Sequence, residues 1–250
     1  MNGKLDGKVA IVTGAGQGAG MGAALALAAE GAAVILFGRT LAKVEKVAAQ
    51  IDARGGKAVA FGGDVTVEAD LRRSIDLAIE RFGRLDILVN AAQSPEMRTA
   101  PLLEIDPAVV DELWRSGAAA TLAFMRLVHP HMVKAGGGSI INFGSGAEFG
   151  PANYGVYAGV KAAIRSISRA AAVEWGKDRI RVNVAVPMVE SPANDADPTD
   201  HDQLVQFIPL GRIGDPEADI GRPIAFLASD DSAYMTGCTF MLDGGLTFMG

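Results

Sequence analysis

"KVAIVTGAGQGAGMG", residues 8–22, decides the fold. Residues 8–14 are almost continuously apolar and rich in β-branched side chains, as a strand covered on both faces must be. The glycines that follow let the backbone turn tightly before an Ala-rich stretch, 18–30, takes up helical periodicity. A strand feeding a glycine loop and then a helix opens a βαβ unit. The same alternation runs on. "AAVILFG" (32–38), "KAVAFGGD" (57–64), "LDILVNAA" (85–92), "GSIINFGS" (138–145), "IRVNVAVP" (180–187) and "CTFMLDGG" (238–245) read as strands. Segments 41–54, 67–82, 107–134, 152–176 and 216–228 read as helices, with Thr66 expected to cap the third helix and Asp70, Arg72 and Arg73 on its wet side. Parallel strands joined by right-handed crossovers make a doubly wound α/β sheet. No linker, repeat or low-complexity tract interrupts it, so residues 1–250 are expected to form one domain.

Bulk properties narrow the function. The chain is 49% hydrophobic and 21% charged, enough to bury a large core, yet no apolar run reaches the ~20 residues of a membrane span. A net charge of −6 without a basic cluster argues against nucleic acid. Three scattered histidines and one cysteine, Cys238, offer neither a metal-ligand pattern nor a disulfide. The opening "MNGKLDGKVAIVTG" lacks a leader's long apolar stretch, and the expectation is a reducing cytoplasm.

In doubly wound sheets ligands bind beyond the carboxyl ends of the strands. Those ends carry Thr13–Gly14, Gly38–Arg39, Asp64, Asn90–Ala92, Ser145 and Pro187. "TGAGQGAG" (13–20) fits G-x-G-x-x-G/A in more than one register, bringing Gly14, Gly16, Gln17, Gly18, Ala19 and Gly20 to a dinucleotide's pyrophosphate at a helix N-terminus. A site for NAD(H) needs a carboxylate about 20 residues on, at the end of the second strand. Here "LFGRT" sets Gly38 there, followed by Arg39 and Thr40, and a guanidinium can grip a 2′-phosphate in bidentate fashion. NADP(H) is therefore the expected cofactor, with NAD(H) the alternative.

"YGVYAGVKAAI" (154–164) holds two tyrosines and a lysine. Residues four apart share a helical face, so Tyr157 neighbours Lys161 while Tyr154 lies about two turns from it. A phenol titrates near ~10 in water, and a nearby ammonium favours the phenolate. Tyr157 can thus exchange a proton with a substrate oxygen.

Together these residues resemble the short-chain dehydrogenase/reductase family along essentially the whole chain. "TGAGQGAG" matches its Thr-Gly-x-x-x-Gly-x-Gly loop, "GGDV" supplies Asp64 and Val65, and "NAAQ" stands where Asn-Asn-Ala-Gly is usual, at Asn90, Ala91, Ala92 and Gln93. "YAGVK" matches Tyr-x-x-x-Lys, with Ser145 on the preceding strand end. The resemblance implies a seven-stranded Rossmann sheet, helices on both faces, and reversible oxidation of an alcohol to a carbonyl. It implies that Asp64 contacts the adenine, that Ser145 and Tyr157 hold the substrate oxygen, and that Lys161 also binds the nicotinamide ribose. Pro187 and Met188 would border the nicotinamide. A homotetramer assembled through the Tyr157 helix, the preceding long helix and the last strand is implied as well; "AAIRSISRAAAVEW" offers a small-residue face for it.

Departures cluster around the site. The family's helix asparagine, part of a proton relay, falls on Gly117, a glycine costly in mid-helix by roughly 1 kcal/mol. Ala91 and Gln93 replace an asparagine and a glycine, Met188 replaces a glycine, Ser191 falls one residue early, and Ser145 precedes Tyr157 by twelve residues, one fewer than is common. They leave open an alternative: a catalytically weak dinucleotide-binding sensor or partner subunit. Residues 188–210 are expected to form a substrate lid, whose Glu190, Asp195, Asp197, Asp200 and Asp202 disfavour a polyanion. Met97, Trp114, Phe149 and Phe207 suggest a hydrophobic alcohol or ketone as substrate.

Overall fold

The computed structural model describes residues 3–93, 100–150, 152–189 and 204–247. Seven strands form one parallel sheet: β1 (Val9–Thr13), β2 (Ala33–Gly38), β3 (Lys57–Gly62), β4 (Ile87–Asn90), β5 (Gly138–Phe143), β6 (Ile180–Pro187) and β7 (Thr239–Leu242). Their spatial order is β3-β2-β1-β4-β5-β6-β7. The order reverses between β1 and β4, whose register pairs Thr13 with Asn90. That reversal opens a crevice at the carboxyl edge.

The helices are α1 (Gly18–Ala29), α2 (Leu41–Ala53), α3 (Glu68–Phe82), α4 (Pro107–Trp114), α5 (Ala120–Ala135), α6 (Gly155–Trp175) and α7 (Arg222–Ala228). They cover both faces of the sheet, and β1 explains why. Ala10 and Val12 join α1, α2 and α7 in one core; Val9 and Ile11 join α3 and α5 in the other. Because alternate residues point to opposite faces, a strand buried on both has to be apolar throughout.

Three local readings need correction. Thr66 does not cap α3, which starts after Val67 without a side-chain cap. Instead Asp64 Oδ1 accepts from the Thr66 N–H and hydroxyl, both at 2.8 Å, and the Asp70 carboxylate accepts from the Asp64 N–H. Asp70 thus braces the loop after β3 rather than facing water. The helix expected over 107–134 also divides, with Arg115–Ala119 forming a π turn between α4 and α5, and the one expected over 216–228 opens on a π turn, Pro216–Gly221, before α7. Among the described residues no helix is long and apolar enough to cross a membrane.

Candidate active site

A cavity of about 440 Å³ lies along the crevice. At one end is the glycine loop. Gly14 and Gly18 take positive φ, +66° and +54°, a region in which glycine carries no steric penalty. A Cβ on Gly20 would lie 2.4 Å from the Gly14 carbonyl oxygen, so glycine here lets loop and helix close up. Thr13 fastens the loop to the sheet, its hydroxyl accepting from the N–H groups of Ala91 and Ala92 at 3.0 Å. The first turn of α1 therefore faces the cleft with N–H groups that have no partner inside the helix.

Gly14, Gly16, Gln17, Gly18, Ala19, Gly20, Arg39, Thr40, Asp64, Val65, Ala91, Ala92, Ser145, Tyr157, Lys161 and Pro187 all line this cavity. Asn90 and Met188 lie off its wall. The Asn90 side chain is buried within the sheet and donates to Asn142 Oδ1 at 2.9 Å, which Asn142 extends to Ser168. Met188 engages by its backbone, donating to Leu242 and accepting from Gly214, while the adjacent Val189 reaches the wall.

The mouth at β2 carries two exposed cations. Arg39 follows Gly38 directly, and Lys43, one helical turn further on, donates to Gln17 Oε1 at 2.6 Å. Lys43 was legible only as a second cation four residues after Arg39.

At the other end, α6 turns Tyr157 and Lys161 inward. Lys161 is only 4% exposed; its Nζ donates to the Phe143 carbonyl at 3.0 Å and lies 5.5 Å from the centroid of the Tyr157 ring. Ser145, two residues past β5, accepts from the Ala147 N–H through its hydroxyl oxygen. The wall between these groups and the π turn is polar, formed by Gln93, Glu112 and Ser116. Trp114, Phe149 and Phe207 do not line it and are exposed. Met97, Ser191 and most of the expected lid, including Glu190, Asp195, Asp197, Asp200 and Asp202, lie outside the described residues. Behind Ser145, Glu148 is buried with its carboxylate against Arg165. Burial pushes its carboxyl group above the ordinary range, opposed by the charges of Arg165, Lys161 and Arg169.

The crevice thus runs from the glycine loop to Ser145, Tyr157 and Lys161, and comparisons with known proteins give the class of the chain. Residues 14–247 match the family model described as enoyl-(acyl carrier protein) reductase. The chain is 39% identical to a 12α-hydroxysteroid dehydrogenase of Clostridium sp. over 98% of each chain. It is 32% identical to a cyclohexanol dehydrogenase of Acinetobacter sp., covering 99% of this chain and 98% of that one. The solved structure of a 7α-hydroxysteroid dehydrogenase complexed with NADH and 7-oxo glycochenodeoxycholic acid superimposes with a TM-score of 0.91 at 33% identity, over 96% of this chain and 94% of that one. The chain belongs to the short-chain dehydrogenase/reductase family of oxidoreductases.

Proposed function

We propose that the protein interconverts a secondary alcohol and a ketone with NADP(H), using Tyr157 as the acid and base. The observation that carries this reading is the convergence of Ser145, Tyr157 and Lys161 on the cavity that also holds the glycine loop. The backbone of residues 14–20, Asp64, Val65, Ala91, Ala92 and Pro187 would cradle the cofactor, and Lys161 its ribose. When bound, its nicotinamide supplies or accepts the hydride. In reduction the Tyr157 hydroxyl gives its proton to the carbonyl oxygen; in oxidation the phenolate takes a proton from the alcohol. The Lys161 ammonium favours that phenolate electrostatically, and the Ser145 hydroxyl donates to the substrate oxygen and fixes its distance from the ring.

Arg39 and Lys43 support the phosphorylated cofactor, since both line the cavity beside Gly38, where a carboxylate would serve an unphosphorylated ribose. The NADH in the hydroxysteroid dehydrogenase structure supports the other choice. Relatives named for steroid and cyclohexanol substrates favour an alicyclic alcohol or ketone. We place the protein in the cytoplasm as a homotetramer.

The test is loss of NADPH or NADH absorbance with a panel of cyclic ketones. The Tyr157→Phe variant is expected to lose at least ~10²-fold in kcat. Arg39→Ala is expected to lower kcat/KM with NADPH and leave NADH little changed. Cofactor binding without turnover of any ketone or alcohol would point instead to a sensor or partner subunit.

A further inference from the structure

Two departures from the family pattern meet in space. Gln93, just past β4, turns its side chain toward the π turn, where Gly117 is buried. A Cβ at position 117 would lie 3.0 Å from Gln93 Oε1, 3.3 Å from Gln93 Nε2 and 2.4 Å from a Val160 methyl. Glycine at 117 therefore makes the hollow that the glutamine carboxamide occupies. Gln93 Nε2 reaches Ser116 Oγ at 3.4 Å, while Oε1 is buried with no hydrogen-bond partner among the described residues. A buried acceptor left unpaired costs free energy, and such atoms in a site call for a function. The π turn is a second sign, because single-turn π bulges occur frequently at functional sites.

One strong donor lines the same cavity. Lys161 adjoins Val160, the residue that packs on Gly117, and its three-donor ammonium has one acceptor among the described residues, the Phe143 carbonyl. We propose that Gln93 is a positioning residue for proton transfer: its carboxamide oxygen, directly or through one water, accepts from the Lys161 ammonium and holds that charge toward Tyr157. The carboxamide is delivered by the loop after β4 into a space that the helix leaves open at Gly117. No bond other than hydrogen bonds changes; the proton moves between Tyr157 and the substrate oxygen as before. The inference rests on the Tyr157 reading above, so its test includes a readout that needs no turnover.

Among the described residues, the other charged groups around this end of the cavity are Glu112 on α4, paired with Arg115, and Glu148 behind Ser145, with Arg165 and Arg169 acting on it. Tyrosinate absorbance is titrated in the full-length protein, and the Tyr157 contribution is taken as the difference from Tyr157→Phe. Gln93→Met keeps the volume and removes the carboxamide; Gln93→Gly with Gly117→Asn and Val160→Ala, which removes the methyl a Cβ at 117 would meet, returns a carboxamide from the helix side. We expect the Tyr157 ionisation midpoint to rise by roughly one unit in Gln93→Met, a tenfold change in the equilibrium, and to return toward the parent value in the triple variant. Where the parent turns over, kcat should fall roughly tenfold or more in Gln93→Met, with cofactor affinity changed little, and recover in the triple variant. A midpoint in Gln93→Met that matches the parent overturns the role of Gln93, whatever the turnover. Loss of turnover in Tyr157→Phe alone bears on the Tyr157 reading and leaves this comparison intact. Glu148→Gln, titrated in parallel, separates that carboxyl group from the tyrosine signal.

Discussion

At the residue scale, Glu148 shows how a side chain can be constrained behind a cavity that it does not line. Its carboxylate is almost wholly buried and lies 2.8 Å from the Arg165 guanidinium. Desolvation holds its carboxyl group above the ordinary value of 4.5, despite the nearby positive charges. A carboxyl group raised on folding binds its proton more tightly in the native state. Its contribution to stability is therefore full below about 4.5 and is lost as pH rises through the folded value. Glu148→Gln should match the parent in thermal melts near pH 4 and exceed it at pH 8. Equal melting temperatures at both pH values would show that the burial carries no such cost. The sequence made Tyr157, Lys161 and Ser145 legible because strand ends and helical spacing are local signals. Glu148 gave no signal, since its burial depends on how α6 packs over the turn after β5. Gln93 and Gly117 were each legible as departures from the family pattern, and only their contact distances turn two oddities into one feature.

At the scale of elements, all seven strands were legible, because short apolar runs punctuated by glycine have few other readings. Breaks within helices were less so. A π turn keeps the apolar stripe nearly continuous, so residues 107–134 read as one helix although Arg115–Ala119 divides it. The turn before α7 buries Ile220 in the core and carries an ion pair on its outer side. Arg212 Nη2 donates to Asp219 Oδ1 at 2.9 Å, and the Asp219 carboxylate also accepts from the Asp215 N–H. The Arg212 guanidinium, with that N–H, lowers the Asp219 carboxyl to about 2. A group depressed on folding stabilises above its ordinary value of 3.8 and loses that contribution as pH falls toward 2. The contact is partly exposed and screened, which keeps the effect small. Asp219→Asn should melt slightly below the parent at pH 7 in low salt, and the gap should close in acid. A gap that persists unchanged near pH 2 would assign the loss to packing instead.

At the scale of the molecule, the sheet order and the two cores account for where the cavity lies, but they also leave surface unexplained. Along α5, Leu122 and Val133 are exposed, and along α6 Val173 is 85% exposed on the same side as Ser166 and Ala170. Positions 166, 170 and 173 fall four and then three residues apart, so they form one face. Exposed single apolar residues are ordinary, but an aligned stripe of small and apolar side chains suits the close approach of a second helix. The cores could not reveal this, because burial within one chain says nothing about what its outer faces meet. If the proposed tetramer forms through α5 and α6, a charge on this stripe meets its own copy across a two-fold axis and repels it. Val173→Glu together with Ala170→Glu should then convert the species seen by light scattering at micromolar concentration into dimers or monomers. Circular dichroism should stay that of the parent, since neither residue is buried within the chain. An unchanged mass would put the interface elsewhere, and a monomeric parent would remove the assembly from the proposal while leaving the site of a single chain complete.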